Sequence, residues 1–115
     1  LHCVSSYPCN FEDLNFHKYK ELSKISKNQI GYSGHFQGIK DAIIAIILNS
    51  SYVEKHFTID NDLPGRDNKF AILPNKLKEL SKFNDDFYKM SLNKEINLQN
   101  KEQDIFDNYR GRWGN

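Results

Sequence analysis

The sequence predicts an α/β architecture in which parallel strands are joined by crossover helices, and three observations carry that expectation. Short apolar, strand-like runs alternate with longer stretches of helical periodicity. They recur about every 25 to 30 residues, the length of one parallel strand with its crossover. Each strand-like run also ends in polar pairs two residues apart, and such residues point to the same face of a strand. In parallel sheets and barrels, ligands bind at the carboxyl ends of the strands. The pattern therefore predicts part of an active site.

The first strand covers residues 1–5 and runs into a turn at Tyr7-Pro8-Cys9-Asn10, with Ser5 and Tyr7 sharing a face. A helix follows, its apolar stripe formed by Phe16, Tyr19, Leu22 and Ile25 at spacings of three. Asn28 and Gln29 end it. The second strand, residues 30–33, leads into the glycine-flanked segment 34–38 and puts Ser33 and His35 on one face. Residues 39–48 are apolar enough for a well-buried helix. Their isoleucines argue for a strand instead, since β-branched side chains lose freedom in helices, but length and context favour helix. The third strand, residues 52–57, pairs Glu54 with His56. It opens into a loop holding Leu63-Pro64-Gly65-Arg66-Asp67, where Pro64-Gly65 is turn chemistry whatever else the loop does. A last helix starts near Pro74, a residue suited to a first turn, and carries Leu77, Leu80, Phe83 and Phe87 on one side. From Asn93 the sequence becomes polar and reads as irregular. It ends in the aromatic and basic run Tyr109-Arg110-Gly111-Arg112-Trp113, which serves either as an anion or partner site or as packing on the domain's outside. The expected organisation is an α/β unit over residues 1–92 and an irregular tail over 93–115.

At 115 residues the chain is one domain at most. A net charge of +1 provides no strong field to attract nucleic acid or anionic membrane. The longest apolar stretch, residues 42–48, is far short of a membrane span. Cys3 and Cys9 make a poor disulfide framework, so both are expected to be free thiols in a reducing, cytoplasmic setting. His2 and His17 read as structural. Three units are too few to close an eight-stranded barrel, hydrophobic content is only 38%, and Leu1 already lies in a strand-like run. Together these read as a portion of a larger protein.

Four runs carry a resemblance: Leu1-His2-Cys3-Val4-Ser5-Ser6-Tyr7-Pro8, Gly31-Tyr32-Ser33-Gly34-His35, Glu54-Lys55-His56-Phe57 and Leu63-Pro64-Gly65-Arg66-Asp67. In this order and spacing they resemble the sialic acid synthase family, which includes the N-acetylneuraminate, legionaminate and pseudaminate synthases and related spore-coat polysaccharide enzymes. The resemblance extends to about Leu80. It implies the last three βα units of a (β/α)8 TIM barrel, and a metal-assisted condensation of phosphoenolpyruvate with an N-acetylated hexosamine that gives a nonulosonic acid and phosphate. Carried over residue by residue, His35 and His56 hold a divalent ion, usually manganese, with magnesium as the alternative. Neutral imidazoles suit such a metal while leaving positions open for the sugar's aldehyde oxygen. Ser5 and Ser33 bind phosphoenolpyruvate. Tyr7 lines the sugar's N-acetyl group and Asp67 holds its hydroxyls. Glu54 is the catalytic candidate, either behind the metal or in proton transfer. The resemblance also implies a homodimer in the full-length protein.

The chain departs from the family pattern at Gly34, where an aspartate usually precedes the metal histidine, and at Arg66, where proline is usual. Loss of an orienting acceptor behind His35 would weaken a metal site, and Arg66 adds positive charge beside the sugar. The family's early strands, with phosphate-binding lysines and a glutamate, lie outside this chain, as does an antifreeze-like domain that gives an arginine to the partner subunit's site. The chain by itself is therefore not expected to catalyse the reaction. A catalytically inactive remnant or assembly module of the same fold is the alternative.

Overall fold

Alternation along three short strands sorts their side chains onto two faces, and the helices cover only one of them. The computed structural model describes residues 1–111. The strands β1 (His2–Cys3), β2 (Tyr32–Gly34) and β3 (Val53–Lys55) form one sheet in the order β1-β2-β3. Both pairings are parallel: His2 lies opposite Tyr32, Cys3 opposite Ser33, Ser33 opposite Glu54, and Gly34 opposite Lys55. The crossovers are α1 (Phe16–Ile25) and α2 (Lys40–Ile47), and α3 (Pro74–Met90) follows β3. The expected α/β fold of three βα units is therefore present.

The strands are shorter than their apolar runs. Beyond Cys3 the first segment leaves the ladder at Ser5 to Pro8, then rejoins through a bridge between Cys9 and Phe36; proline has no amide hydrogen to give a ladder. Helix α1 begins at Asn15, whose side-chain oxygen accepts from the Lys18 amide at 3.2 Å. Its stripe buries Tyr19 and half-buries Phe16 and Leu22, while Ile25 at the last turn is exposed. In α2 the expectation of a well-buried helix with its isoleucines in the core is corrected in part. Ala42 and Ala45 face the sheet with no exposed surface, because small residues permit the closest helix-to-sheet approach, and Ile44 and Ile47 turn outward. Helix α3 starts at Pro74, as the sequence predicts. It buries Leu80, whereas Leu77 remains exposed beside Val53, Phe57 and Ile72 at the free edge of β3.

The core is continuous behind the sheet. Tyr19, Tyr32 and Ala45 form one cluster, and Ile39, Ala42, Ile72 and Leu80 another, with Val53 packed against both. His2 is buried and bonds through Nε2 to the Leu14 carbonyl at 2.8 Å, a structural role as expected. Cys3 and Cys9 are free thiols. Residues 93–111 are not irregular throughout, since α4 (Gln103–Tyr109) forms there, with the Arg110 guanidinium 4.6 Å from the Phe106 ring centre. Arg112 and Trp113, singled out from the sequence, lie outside the described residues. Among the described residues, no helix is long and apolar enough to cross a membrane.

One polar cluster is buried among these apolar residues. Lys55 Nζ lies 2.9 and 3.1 Å from the two carboxylate oxygens of Asp41, and the Tyr32 hydroxyl donates to Asp41 at 3.0 Å. Burial first, and the Asp41 carboxylate second, push the Tyr32 phenol far above its ordinary 10.0. A raised acid gives stability that is whole below the unfolded value and lost as pH rises through it. Folding stability should thus fall above about pH 10. Tyr32→Phe should flatten that decline, read as urea midpoints measured at rising pH. A decline as steep as the parent's would assign it to another group.

Candidate functional site

The face of the sheet away from the helices carries the chemistry. Cys3, Ser33 and Glu54 form one row across the three strands, and strand parity puts His35 and His56 in the next row. Both histidines lie one residue past the last ladder pair. The Cys9 amide fixes the His35 carbonyl at 3.1 Å, and the Ile72 amide fixes that of His56 at 2.8 Å. The two imidazole rings lie 5.4 Å apart, centre to centre, on the same side of the sheet.

Their Nε2 atoms converge on one hydroxyl. Tyr7 Oη lies 2.6 Å from His35 Nε2 and 3.2 Å from His56 Nε2, and the Tyr7 ring packs 4.0 Å from the His35 ring. The tautomers follow from the hydrogen bonds. His35 Nδ1 lies 2.7 Å from the Val4 carbonyl, which only accepts, so Nδ1 carries the proton and Nε2 accepts from Tyr7. That uses the single phenolic proton, so His56 donates from Nε2 to the Tyr7 oxygen. His56 Nδ1 then faces Asp67 Oδ2 at 3.8 Å, too far for a hydrogen bond. Loss of solvation, then the neighbouring Asp67, Cys3 and Glu54 groups, push the Tyr7 phenol up, while Arg66 opposes them. Tyr7 therefore remains a neutral donor at ordinary pH.

The remaining predicted residues lie close by but engage other partners. Glu54 accepts from the Ser33 hydroxyl at 2.7 Å, so the two are a unit beneath the histidines. Ser5 is exposed, with Cys3 Sγ 3.9 Å from its hydroxyl. Asp67 reaches towards His56 from the loop after β3. Tyr7, expected along the sugar, has its hydroxyl between the two imidazoles.

The donor set fits part of a metal's coordination shell. Two imidazole nitrogens meet at one point, and His35 is backed through its other nitrogen by a carbonyl, the usual arrangement for a ligating histidine. Among the described residues, no group of three or more histidine, cysteine or acidic side chains could hold an ion. His35 and His56 would supply two ligands, and the remainder would come from water, substrate or other chain.

Gly34 has a different meaning from the one the sequence suggested. Position 34 faces the helices, not the histidines, and a Cβ there would overlap the Asp41 carboxylate and approach Tyr32 Cε1 to 2.7 Å. An aspartate at 34 would point away from His35, whose orienting acceptor is the Val4 carbonyl. Sequence reasoning missed Asp41 and Lys55. The available signal was Lys55 itself, a lysine on the helix-facing parity of β3 that needed a buried acidic partner.

Comparison with known proteins places the chain. The NeuB family model matches residues 1–95. The chain is 38% identical over 80 residues to the N,N'-diacetyllegionaminic acid synthase of Campylobacter jejuni, covering 70% of this chain and 24% of that protein. It is 37% identical over 81 residues to the human N-acetylneuraminate-9-phosphate synthase, covering 70% of this chain and 23% of the relative. The crystal structure of an N-acetylneuraminic acid synthetase from Leptospira borgpetersenii matches with a TM-score of 0.77 at 31% identity, over 91% of this chain and 37% of that one. The chain thus spans about a quarter of the length of these curated relatives. With that family's model matched across most of its length, the chain belongs to the NeuB family.

Proposed function

We propose that this chain supplies the histidine end of a nonulosonic acid synthase site, where phosphoenolpyruvate condenses with an N-acetylated hexosamine and phosphate is released. The convergence of His35 Nε2 and His56 Nε2 on one point carries this reading. The names of the relatives, synthases of sialic and legionaminic acids, support the reaction class. When bound by these two histidines, a divalent ion, manganese or magnesium, supplies Lewis-acid polarisation of the acceptor's carbonyl.

The protein's own groups do the rest. Val4 holds the His35 proton on Nδ1 and so keeps Nε2 a lone-pair donor. The Ser33 hydroxyl, tied to Glu54, would donate to a phosphate or carboxylate oxygen of phosphoenolpyruvate, as would Ser5. Asp67 and Tyr7 border the side from which a sugar would approach. Glu54, hydrogen-bonded and on the histidines' face, is the group to take or give a proton. Phosphate-binding groups from the rest of the enzyme complete the site, and the enzyme acts as a homodimer. Gly34, one of the departures that favoured an inactive remnant, carries less weight because position 34 faces Asp41.

The test is phosphate release from phosphoenolpyruvate by the full reading frame that carries this chain. Manganese is added with N-acetylmannosamine, its 6-phosphate or a diacetamido hexose. Release should require both one of these sugars and the metal, and chelation should stop it. Release that ignores the sugar, or persists at the same rate after chelation, would contradict the proposal.

A further inference from the structure

We propose that the buried Asp41–Lys55 ion pair is a positioning device that sets the spacing of His35 and His56 from behind the sheet. The β2–β3 ladder ends at Gly34 opposite Lys55, and each histidine is the next residue on its strand. Past that pair the Lys55 side chain takes over from the ladder. Its ammonium donates to the Phe36 carbonyl at 2.7 Å, so one tether joins the residue before His56 to the residue after His35. Asp41, on the first turn of α2, holds the ammonium with both oxygens and is itself held by the Tyr32 hydroxyl.

Stability alone does not account for this arrangement. The Lys55 and Asp41 side chains are 5% and 0% exposed, and apolar residues of similar volume often stabilise as well as a buried ion pair or better. What an apolar pair cannot do is reach the Phe36 carbonyl with a donor. Gly34 belongs to the same device, since only a residue without a side chain leaves room for the Asp41 carboxylate. The inference rests on the reading that the histidines act as a pair on a divalent cation, but its claim concerns their placement and is measurable without metal.

The experiment uses the full reading frame with Asp41→Leu and Lys55→Met combined. The variant should fold, with a melting temperature below the parent's because the Tyr32 hydroxyl loses its acceptor and the Phe36 carbonyl its donor. His35 should lose its fixed Nδ1–H tautomer in imidazole 15N spectra, and manganese affinity, read by electron paramagnetic resonance, should fall by about 10- to 100-fold. A second variant, Gly34→Asp with Asp41→Ala, returns a carboxylate to the same place from the strand and should restore the tautomer and most of the affinity. If the apolar pair unfolds the protein, this second variant decides alone. A parental tautomer in the folded apolar variant overturns the proposal, as does loss of the tautomer in the folded second variant. A parent with the fixed tautomer but no affinity for manganese refutes the metal reading only, and the tautomer comparison still judges the tether.

Discussion

Asp41→Ala is expected to destabilise the protein by about 3–5 kcal/mol, because it leaves the Lys55 ammonium buried with one neutral acceptor. It also removes the acceptor of the buried Tyr32 hydroxyl. The exposed pair Lys76–Glu79, with a similar 2.7 Å contact, makes the contrast. Its side chains are 48% and 56% exposed, so Glu79→Ala should cost no more than about 0.5 kcal/mol. Burial, not distance, separates the two outcomes. Lys55 also sets how the Asp41 deficit depends on pH. Desolvation lowers its pKa below 10.5, and Asp41 pulls it back up. Without Asp41 the folded value drops further, so the unfolded chain binds a proton the folded variant sheds. The variant should therefore recover part of its deficit relative to the parent as pH rises towards the ordinary lysine value of 10.5. Urea midpoints up to that pH measure both effects. A deficit below about 1 kcal/mol would mean that water reaches Lys55.

The three strands and the helices α1 to α3 were legible in the sequence because each announced itself locally. Phe16, Tyr19 and Leu22 gave α1 its period, Pro74 marked the start of α3, and the polar ends of three apolar runs identified the site-bearing face. Parity alone was enough to group Ser33 with His35 and Glu54 with His56, whereas the register that sets Ser33 beside Glu54 comes only with the fold. What the sequence hid depends on packing across strands. Nothing local marks Ala42 and Ala45, rather than their isoleucine neighbours, as the residues against the sheet; that follows from how closely α2 approaches β2 and β3. Asp41 reads as an ordinary acidic residue in a first turn, favourable to the helix dipole, and only the fold brings it to Lys55. The acceptor behind His35 was invisible for a simpler reason: it is the main-chain carbonyl of Val4, which has no sequence signature. The helix α4 was missed because its apolar period is a single short one, Ile105, Phe106 and Tyr109, set in a polar stretch.

His35→Ala and His56→Ala should each lower metal-dependent turnover by more than about 100-fold, exceeding the 10- to 100-fold typical of losing a group that merely supports a ligand. With two protein nitrogens at the point of convergence, removing either halves the donor set. The two variants should differ in stability. His56 is 36% exposed at its side chain, so its loss should cost about 1 kcal/mol or less. His35 is bonded to Val4 and packed against the Tyr7 ring, and should cost more. Tyr7→Phe separates binding from packing. It keeps the ring against His35 but removes the hydroxyl that both nitrogens must give up to a metal, so manganese should bind at least as tightly as in the parent. A fall in affinity on that substitution would instead make the phenol oxygen a ligand. If His56→Ala released phosphate as fast as the parent while still folded, the imidazoles would not be the metal's anchor.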